Sequence, residues 1–268
     1  MVARKKILAL TATCLGAVAA LAWAADSTVA IRAERAISTA VADNSNLEVH
    51  PRVYLGGVPY AQALLTGEIP RLSVEALDVD TPGLGLVNAR TELTAIEADP
   101  QQVLSGNLTG ATAEVFSRQL GLDGVAVGEQ LGMTDLDIAN PYDISPGGGP
   151  AVEVQLTGTP PGFDEAVTVI ASLRLNGPTF RMTPIELHDV PPARAQEVTQ
   201  AFTWELDTRS LPLAGQAEGV HVSGGSIYFT AQRRNITVAF SDLSPLEAAE
   251  HSAYDDTDYG RDNPVSGR

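Results

Sequence analysis

Residues 211–240 read LPLAGQAEGVHVSGGSIYFTAQRRNITVAF, and this stretch decides the fold. Leu211-Pro212-Leu213 makes a turn. Val220 and Val222 then alternate with polar neighbours, and Ser223-Gly224-Gly225 closes a hairpin onto a strand at 227–229. Paired glycines between alternating apolar runs signal a hairpin, because a tight two-residue turn needs positive φ that glycine adopts without strain. Asn235 begins a last strand at 236–240. A second stretch, PRVYLGGVP at 51–59, ends an alternating strand in Gly56-Gly57 and Pro59, followed by Leu64, Leu65 and Gly67. Neither stretch holds a nucleophile, a metal-ligand cluster or a phosphate loop.

Working outward, period-two alternation predicts further strands. Leu47, Val49, Val53 and Leu55 alternate with Glu48, His50, Arg52 and Tyr54, and Leu72, Val74 and Ala76 alternate with Arg71, Ser73 and Glu75. Strands are also expected at 87–95, at 125–127, around Val152, Val154 and Leu156, and at 167–175. Three helices are expected. Residues 26–44 carry Val29, Ala33, Ala36, Ile37, Ala40 and Val41 on one stripe, residues 109–120 stop at Gly121, and residues 192–206 start on Pro192. The Ser145–Pro150 cluster, SPGGGP, is a loop. From Ser244 the chain is polar and acidic with little to bury, so 244–268 reads as a disordered acidic tail. Strands in runs separated by single helices favour an α+β fold with mainly antiparallel sheet.

The front of the chain reads as a leader. Arg4-Lys5-Lys6 precedes an apolar run to Ala25, and Ala22-Trp23-Ala24 supplies a signal-peptidase spacing, so 1–25 is a signal peptide or an N-terminal membrane anchor. Cys14 lies inside that run without lipobox context, so a cleaved chain has neither disulfide nor thiol chemistry. Both lysines also lie there. From Asp26 onward 14 arginines face 33 acids, a net charge near −19. Nucleic acid is thereby excluded as a partner, since phosphate neutralisation needs a basic surface, and broad adhesion to an anionic bilayer is excluded on the same ground. The composition, rich in Ala, Gly, Val and Arg, fits a GC-rich bacterial genome.

The search for chemistry is empty. His50, His188, His221 and His251 have no partner at metal-ligand spacing, no G-x-S-x-G elbow is present, and the acidic Asp255-Asp256-Thr257-Asp258 run lacks the grammar of a calcium loop. Neither glycine run precedes the lysine and hydroxyl of a phosphate loop, so no cofactor is indicated. What remains is aliphatic strand, with only 12 Phe and Tyr and two Trp in the whole chain. Such faces suit acyl chains and serve equally as plain core.

The P-x-V-x-x-G-x-P-x-x-x-x-L-x-x-G run from Pro51 to Gly67, and the Leu-Pro-Leu…Gly-Gly…strand ending from Leu211 to Phe240, resemble the LmeA-type phospholipid-binding proteins of actinobacterial envelopes. The N-terminal helix with its mid-helix Glu34 and the expected helix at 109–120 fall in the same order, so the resemblance covers about 26–242. It implies a single elongated domain related to the tubular lipid-binding proteins, in which a curved sheet wraps a long helix. It also implies phospholipid binding at the outer face of the cytoplasmic membrane and, as in mycobacterial relatives, support of mannan elongation on lipomannan alongside envelope glycan-synthesis proteins. The family offers no catalytic residue to carry over, in agreement with the empty search.

The expected function is therefore a non-enzymatic phospholipid-binding protein, exported to the cell envelope or periplasm, whose binding domain spans 26–243. Strand alternation gives the lining residues Val53, Leu55, Leu72, Val74, Val154, Leu156, Val169, Leu173, Ile227 and Phe229, with Arg52, Arg71 and Arg90 as head-group candidates. Two rivals stay open: an envelope scaffold that binds glycan or protein on a solid core, and a lipid-modifying enzyme with a polar cluster at the groove mouth.

Overall fold

A 44-residue helix, α1 (Val2–Ser45), runs through the N-terminal apolar segment and into the body without a break. The computed structural model describes residues 2–45, 47, 49–57, 59–81, 83–141, 148–213 and 215–244. The N-terminal half of α1 is exposed wherever its side chains are described, with Leu15, Val18, Leu21 and Trp23 open to solvent. Within α1, Thr13–Asp43 is long and apolar enough to cross a membrane. The body begins at Asp26, whose carboxylate accepts the backbone N–H groups of Tyr60 at 2.9 Å and Ala61 at 2.5 Å. Beyond it Ala33, Ile37 and Val41 are buried as the stripe predicts, while Ala36 is exposed.

Two antiparallel sheets complete the fold. The first has the order β1-β2-β3-β4-β11-β10, formed by β1 (Arg52–Gly56), β2 (Glu68–Thr81), β3 (Gly85–Glu97), β4 (Thr112–Asp123), β10 (Gly219–Ser223) and β11 (Ser226–Thr237). The second has the order β5-β6-β7-β8-β9, formed by β5 (Asp137–Ala139), β6 (Ala151–Gly158), β7 (Val167–Asn176), β8 (Thr179–His188) and β9 (Trp204–Asp207). Short helices fill the corners: α2 (Ala63–Thr66), α3 (Pro100–Ser105), α4 (Gly124–Leu131), α5 (Ala195–Ala201) and α6 (Phe240–Leu243). The protein is thus an α+β domain whose curved antiparallel sheet wraps a long helix, and the Gly224-Gly225 hairpin joins β10 to β11 with Val222 opposite Ile227.

Several expectations are corrected. Residues 112–120 of the expected helix lie in strand β4 and 109–111 form the turn before it, so that part of the resemblance rests on a strand. Residues 125–127 lie in helix α4, started by Asp123 accepting the Ala126 N–H at 2.9 Å. The stretch 192–206 is a 3-10 turn, then α5, then β9: Val198 and Phe202 are buried, but Trp204 and Leu206 belong to a strand. The final strand does not start at Asn235, because β11 runs through it and Phe240 opens α6 instead. β1 begins at Arg52 rather than near Leu47, and β8 is a strand that the alternation left unassigned. Part of the expected 145–150 loop lies outside the described residues, although Gly149 bridges to Val220. The tail from 245 also lies outside them, whereas Ser244 itself is buried.

Three contacts fix α1 in its sheet. The Glu34 carboxylate accepts the Leu55 N–H at 2.9 Å, and Ser38 Oγ donates to the Pro51 carbonyl at 2.7 Å. Gly106, at φ +72°, caps α3 and lies against α1, where a Cβ would stand 2.8 Å from the Ala33 carbonyl oxygen, so only glycine allows this approach. Tyr60 closes the same corner, buried, with its hydroxyl donating to the Val103 carbonyl at 2.9 Å. Burial, reinforced by the Glu34 charge, pushes its pKa up to about 12 from 10.0. The unfolded chain therefore releases this proton first, and the stabilisation, complete below pH 10, is lost as pH rises toward 12. We expect Tyr60→Phe to cost about 1 kcal/mol at neutral pH and to lose less stability than wild type between about pH 9 and pH 11, which urea unfolding at the two pH values will measure. An equal alkaline loss in both proteins would refute the buried-phenol account.

Candidate lipid-binding interior

The inner face of the six-stranded sheet is built from cross-strand rows. Leu72, Leu93, Phe116 and Arg233 form one row, and Val74, Thr91, Arg118 and Ala231 the next. Ala76, Ala89, Leu120 and Phe229 form a third, and Val87, Leu122 and Ile227 a fourth. On the other side of the first row lie Ile69, Ile96, Ala113 and Ile236. Between them the buried parity switches, from odd to even in β3 and β11 and from even to odd in β4. The switch coincides with Ala95 at φ 49° and Asn235 at φ 51°, a left-handed kink in β3 and β11 on either side of Glu114. Kinks of this kind bend and twist a sheet locally, which suits a surface curling around α1.

The five-stranded sheet presents Val152, Val154 and Leu156 in register with Leu173, Ala171 and Val169, and Leu173 with Met182. Phe180 of the five-stranded sheet meets Phe229 of the other sheet and Trp204 of its own through aromatic edges. The Phe180 ring lies 4.8 Å from that of Phe229 at 85°, and 5.4 Å from Trp204 at 74°. Edge-to-face pairs of this kind add about 1 kcal/mol to what burial gives. Of the expected lining residues, Leu72, Val74, Val154, Leu156, Val169, Leu173, Ile227 and Phe229 are 0 % exposed, Leu55 is 4 % exposed, and Val53 is half-buried. The structure brings nine of the ten into one buried hydrophobic cluster with α1, and packs Val53 against it.

The expected head-group residues are elsewhere. Arg52, Arg71 and Arg90 all project from the outer face, at the positions that alternate with Val53, Leu72 and Val74 and their partners. Arg90 Nε lies 3.2 Å from Glu92 Oε1, and Arg71 lies 3.8 Å from the other oxygen of Glu92. A lipid whose tails touch Leu72 and Val74 therefore has these arginines across the thickness of the sheet. The described surface hollows are open depressions. One of about 440 Å³ is lined by Glu68, Glu97 and Gln102 with the backbone around them. Another, of about 250 Å³, lies on the outer face by Arg90, Gln119 and His221. There His221 stacks on Tyr228 at 5.0 Å, and burial holds its pKa below the usual histidine value.

Alternation missed the polar centre of the inner face. Arg118 is fully buried. Its Nε donates to Thr91 Oγ1 at 3.1 Å, and one terminal nitrogen donates to the carbonyls of Ser241, Asp242 and Ser244 at 3.2, 3.1 and 2.5 Å. Arg233 pairs with the Asp242 carboxylate, and the two guanidiniums sit 5.3 and 4.8 Å from the Phe116 ring. Ser45, the last residue of α1, donates from its hydroxyl to Ser244 Oγ at 2.6 Å. The signal in the sequence is an arginine at an inward position of Phe116-Ser117-Arg118-Gln119-Leu120.

No curated protein and no solved structure gives a significant match to the chain. The family model of LmeA-like phospholipid-binding proteins matches residues 24–232, which takes in α1 from Ala24 onward and both sheets through the first seven residues of β11, and this chain belongs to that family.

Proposed function

We propose that the protein is a non-enzymatic phospholipid carrier of the cell envelope, which loads acyl chains against the inner faces of its two sheets. The observation that supports this is the single aliphatic cluster shared by both sheets and α1, in a chain of a phospholipid-binding family. In the loaded state Val53, Leu55, Leu72, Val74, Val154, Leu156, Val169, Leu173, Ile227 and Phe229 contact the tails, at about 0.8 kcal/mol per methylene withdrawn from water. Arg52, Arg71 and Arg90 contact head groups only from the outer face. Residues 1–25 serve as signal peptide or anchor and 26–243 bind lipid, while the expected acidic tail is shortened to 245–268, because Ser244 belongs to the buried turn. At the outer face of the cytoplasmic membrane such a carrier would serve lipid transfer, or mannan elongation on lipomannan by envelope glycan-synthesis proteins.

The closed packing of the lining residues favours one rival, a scaffold that uses the same sheets as solid core. Native mass spectrometry of the purified 26–268 chain separates the two. A carrier shows co-purifying phospholipid, or gains it after incubation with labelled vesicles. Repeated failure to find or load any lipid refutes the carrier and favours the scaffold.

A further inference from the structure

The inner face of the six-stranded sheet is apolar except where Thr91, Arg118 and Arg233 point inward, and the C-terminal turn lies across the two arginines. Burying guanidinium groups is a poor way to stabilise a core, since well-packed apolar residues of similar volume often serve as well or better. The turn that covers them is small. It consists of α6 and Ser244, with Leu243 as its buried apolar anchor. It also fits them incompletely, because Arg233 Nε and Ser241 Oγ are both buried without a hydrogen-bond partner. The Asp242 carboxylate has one oxygen on Arg233 and the other on the Ala239 N–H at 2.9 Å. A lipid phosphodiester presents two charged oxygens, as this carboxylate does, but sets them on a tetrahedral centre, and planar guanidinium forks match phosphate in pairs.

We propose that Arg118 and Arg233 form a phosphate-binding site on the inner face of the sheet, closed in this structure by the chain's own C-terminal turn, with Asp242 standing where the phosphate of a lipid binds. The proposal rests on the phospholipid-binding reading above and supplies its head-group contact. On loading, Arg118 exchanges the carbonyls of Ser241, Asp242 and Ser244 for phosphate oxygens, Arg233 exchanges Asp242, and the turn lifts from the two guanidiniums. The acyl chains then follow the rows on either side, Leu72 with Leu93 and Leu120 with Phe229. A free phosphate ester offers the same chemistry without the tails.

The test uses two soluble lipids with identical chains, dihexanoyl-phosphatidylglycerol and dihexanoylglycerol, together with inorganic phosphate. It compares the wild-type 26–268 protein with Asp242→Asn and Arg233→Gln. Arg233 is chosen because its side chain is 21 % exposed and the variant should fold, and Asp242→Asn keeps an acceptor for the Ala239 N–H. The phosphatidyl lipid should speed hydrogen exchange across 239–244, and dihexanoylglycerol should not. Asp242→Asn should bind the phosphatidyl lipid about tenfold more tightly and Arg233→Gln about tenfold more weakly, as expected for one charge-assisted hydrogen bond gained or lost. Neither variant should change affinity for dihexanoylglycerol. Equal affinities of all three proteins for the phosphatidyl lipid overturn the site and leave the carrier standing. Binding of neither lipid, while inorganic phosphate still opens the turn, overturns the carrier and supports a site for free phosphate. Silence in every arm overturns both.

Discussion

Ile227→Asp is expected to leave the protein unfolded at ambient temperature, not folded and empty of lipid. Ile227 is 0 % exposed and pairs with Leu122 on one side and Val222 on the other. An aspartate there loses the burial of the side chain and places a carboxylate where no donor reaches it. That combination costs about 5 kcal/mol, which approaches the whole stability of many domains, roughly 5–15 kcal/mol. Circular dichroism and thermal melting will show it. Gln232→Asp, on the exposed outer side of the same strand, is the control and should fall within about 0.5 kcal/mol of wild type. A folded Ile227→Asp protein that melts near wild type and no longer takes up lipid would place Ile227 on an open lumen, and would show that the closed core is not the resting state.

The sequence made the sheets and the hairpin legible wherever alternation ran unbroken, as at Leu72-Val74-Ala76, at Val152-Val154-Leu156 and around Gly224-Gly225. It failed where the alternation changes parity. In β4 the switch beside Glu114 puts Ala113 and Phe116 on one face, three residues apart, with Leu120 four residues further on. That spacing imitates a helix, and Arg118 at an inward position broke the remaining two-residue period. The stretch 192–206 failed for a different reason. Ala195, Val198 and Phe202 do make a helical stripe, but the helix ends at Ala201, and Trp204 and Leu206 continue the apolar pattern in a strand. The lining residues were legible as buried positions because burial follows alternation. Which charge sits inside was not, because alternation assigns every arginine to solvent. Arg52, Arg71 and Arg90 obey that rule and Arg118 does not.

The C-terminus provides the second large effect. A chain ending at Leu246 should melt within about 0.5 kcal/mol of the full-length protein, because the residues removed are polar and acidic with almost no apolar surface to bury. A chain ending at Val238 should lose far more. Val238 itself stays, paired through its backbone to Gly110 and Ala111. What goes is the buried Leu243, the partner of Arg233, three carbonyls on Arg118 and the link from Ser244 to the end of α1. Burial of one leucine contributes about 2 kcal/mol, and stripping the partners from a guanidinium adds to that, offset by the water that enters once its cover has gone. The expected loss is about 3–5 kcal/mol, read from urea unfolding of the three chains. If the two truncations melt alike, the turn is not holding the inner face shut. If only the shorter chain is destabilised, dihexanoyl-phosphatidylglycerol should restore more stability to it than to the full-length protein. Ligand binding stabilises with the logarithm of affinity, and this chain lacks Asp242 and the carbonyls of Ser241, Asp242 and Ser244, which otherwise compete with the phosphate for Arg118 and Arg233.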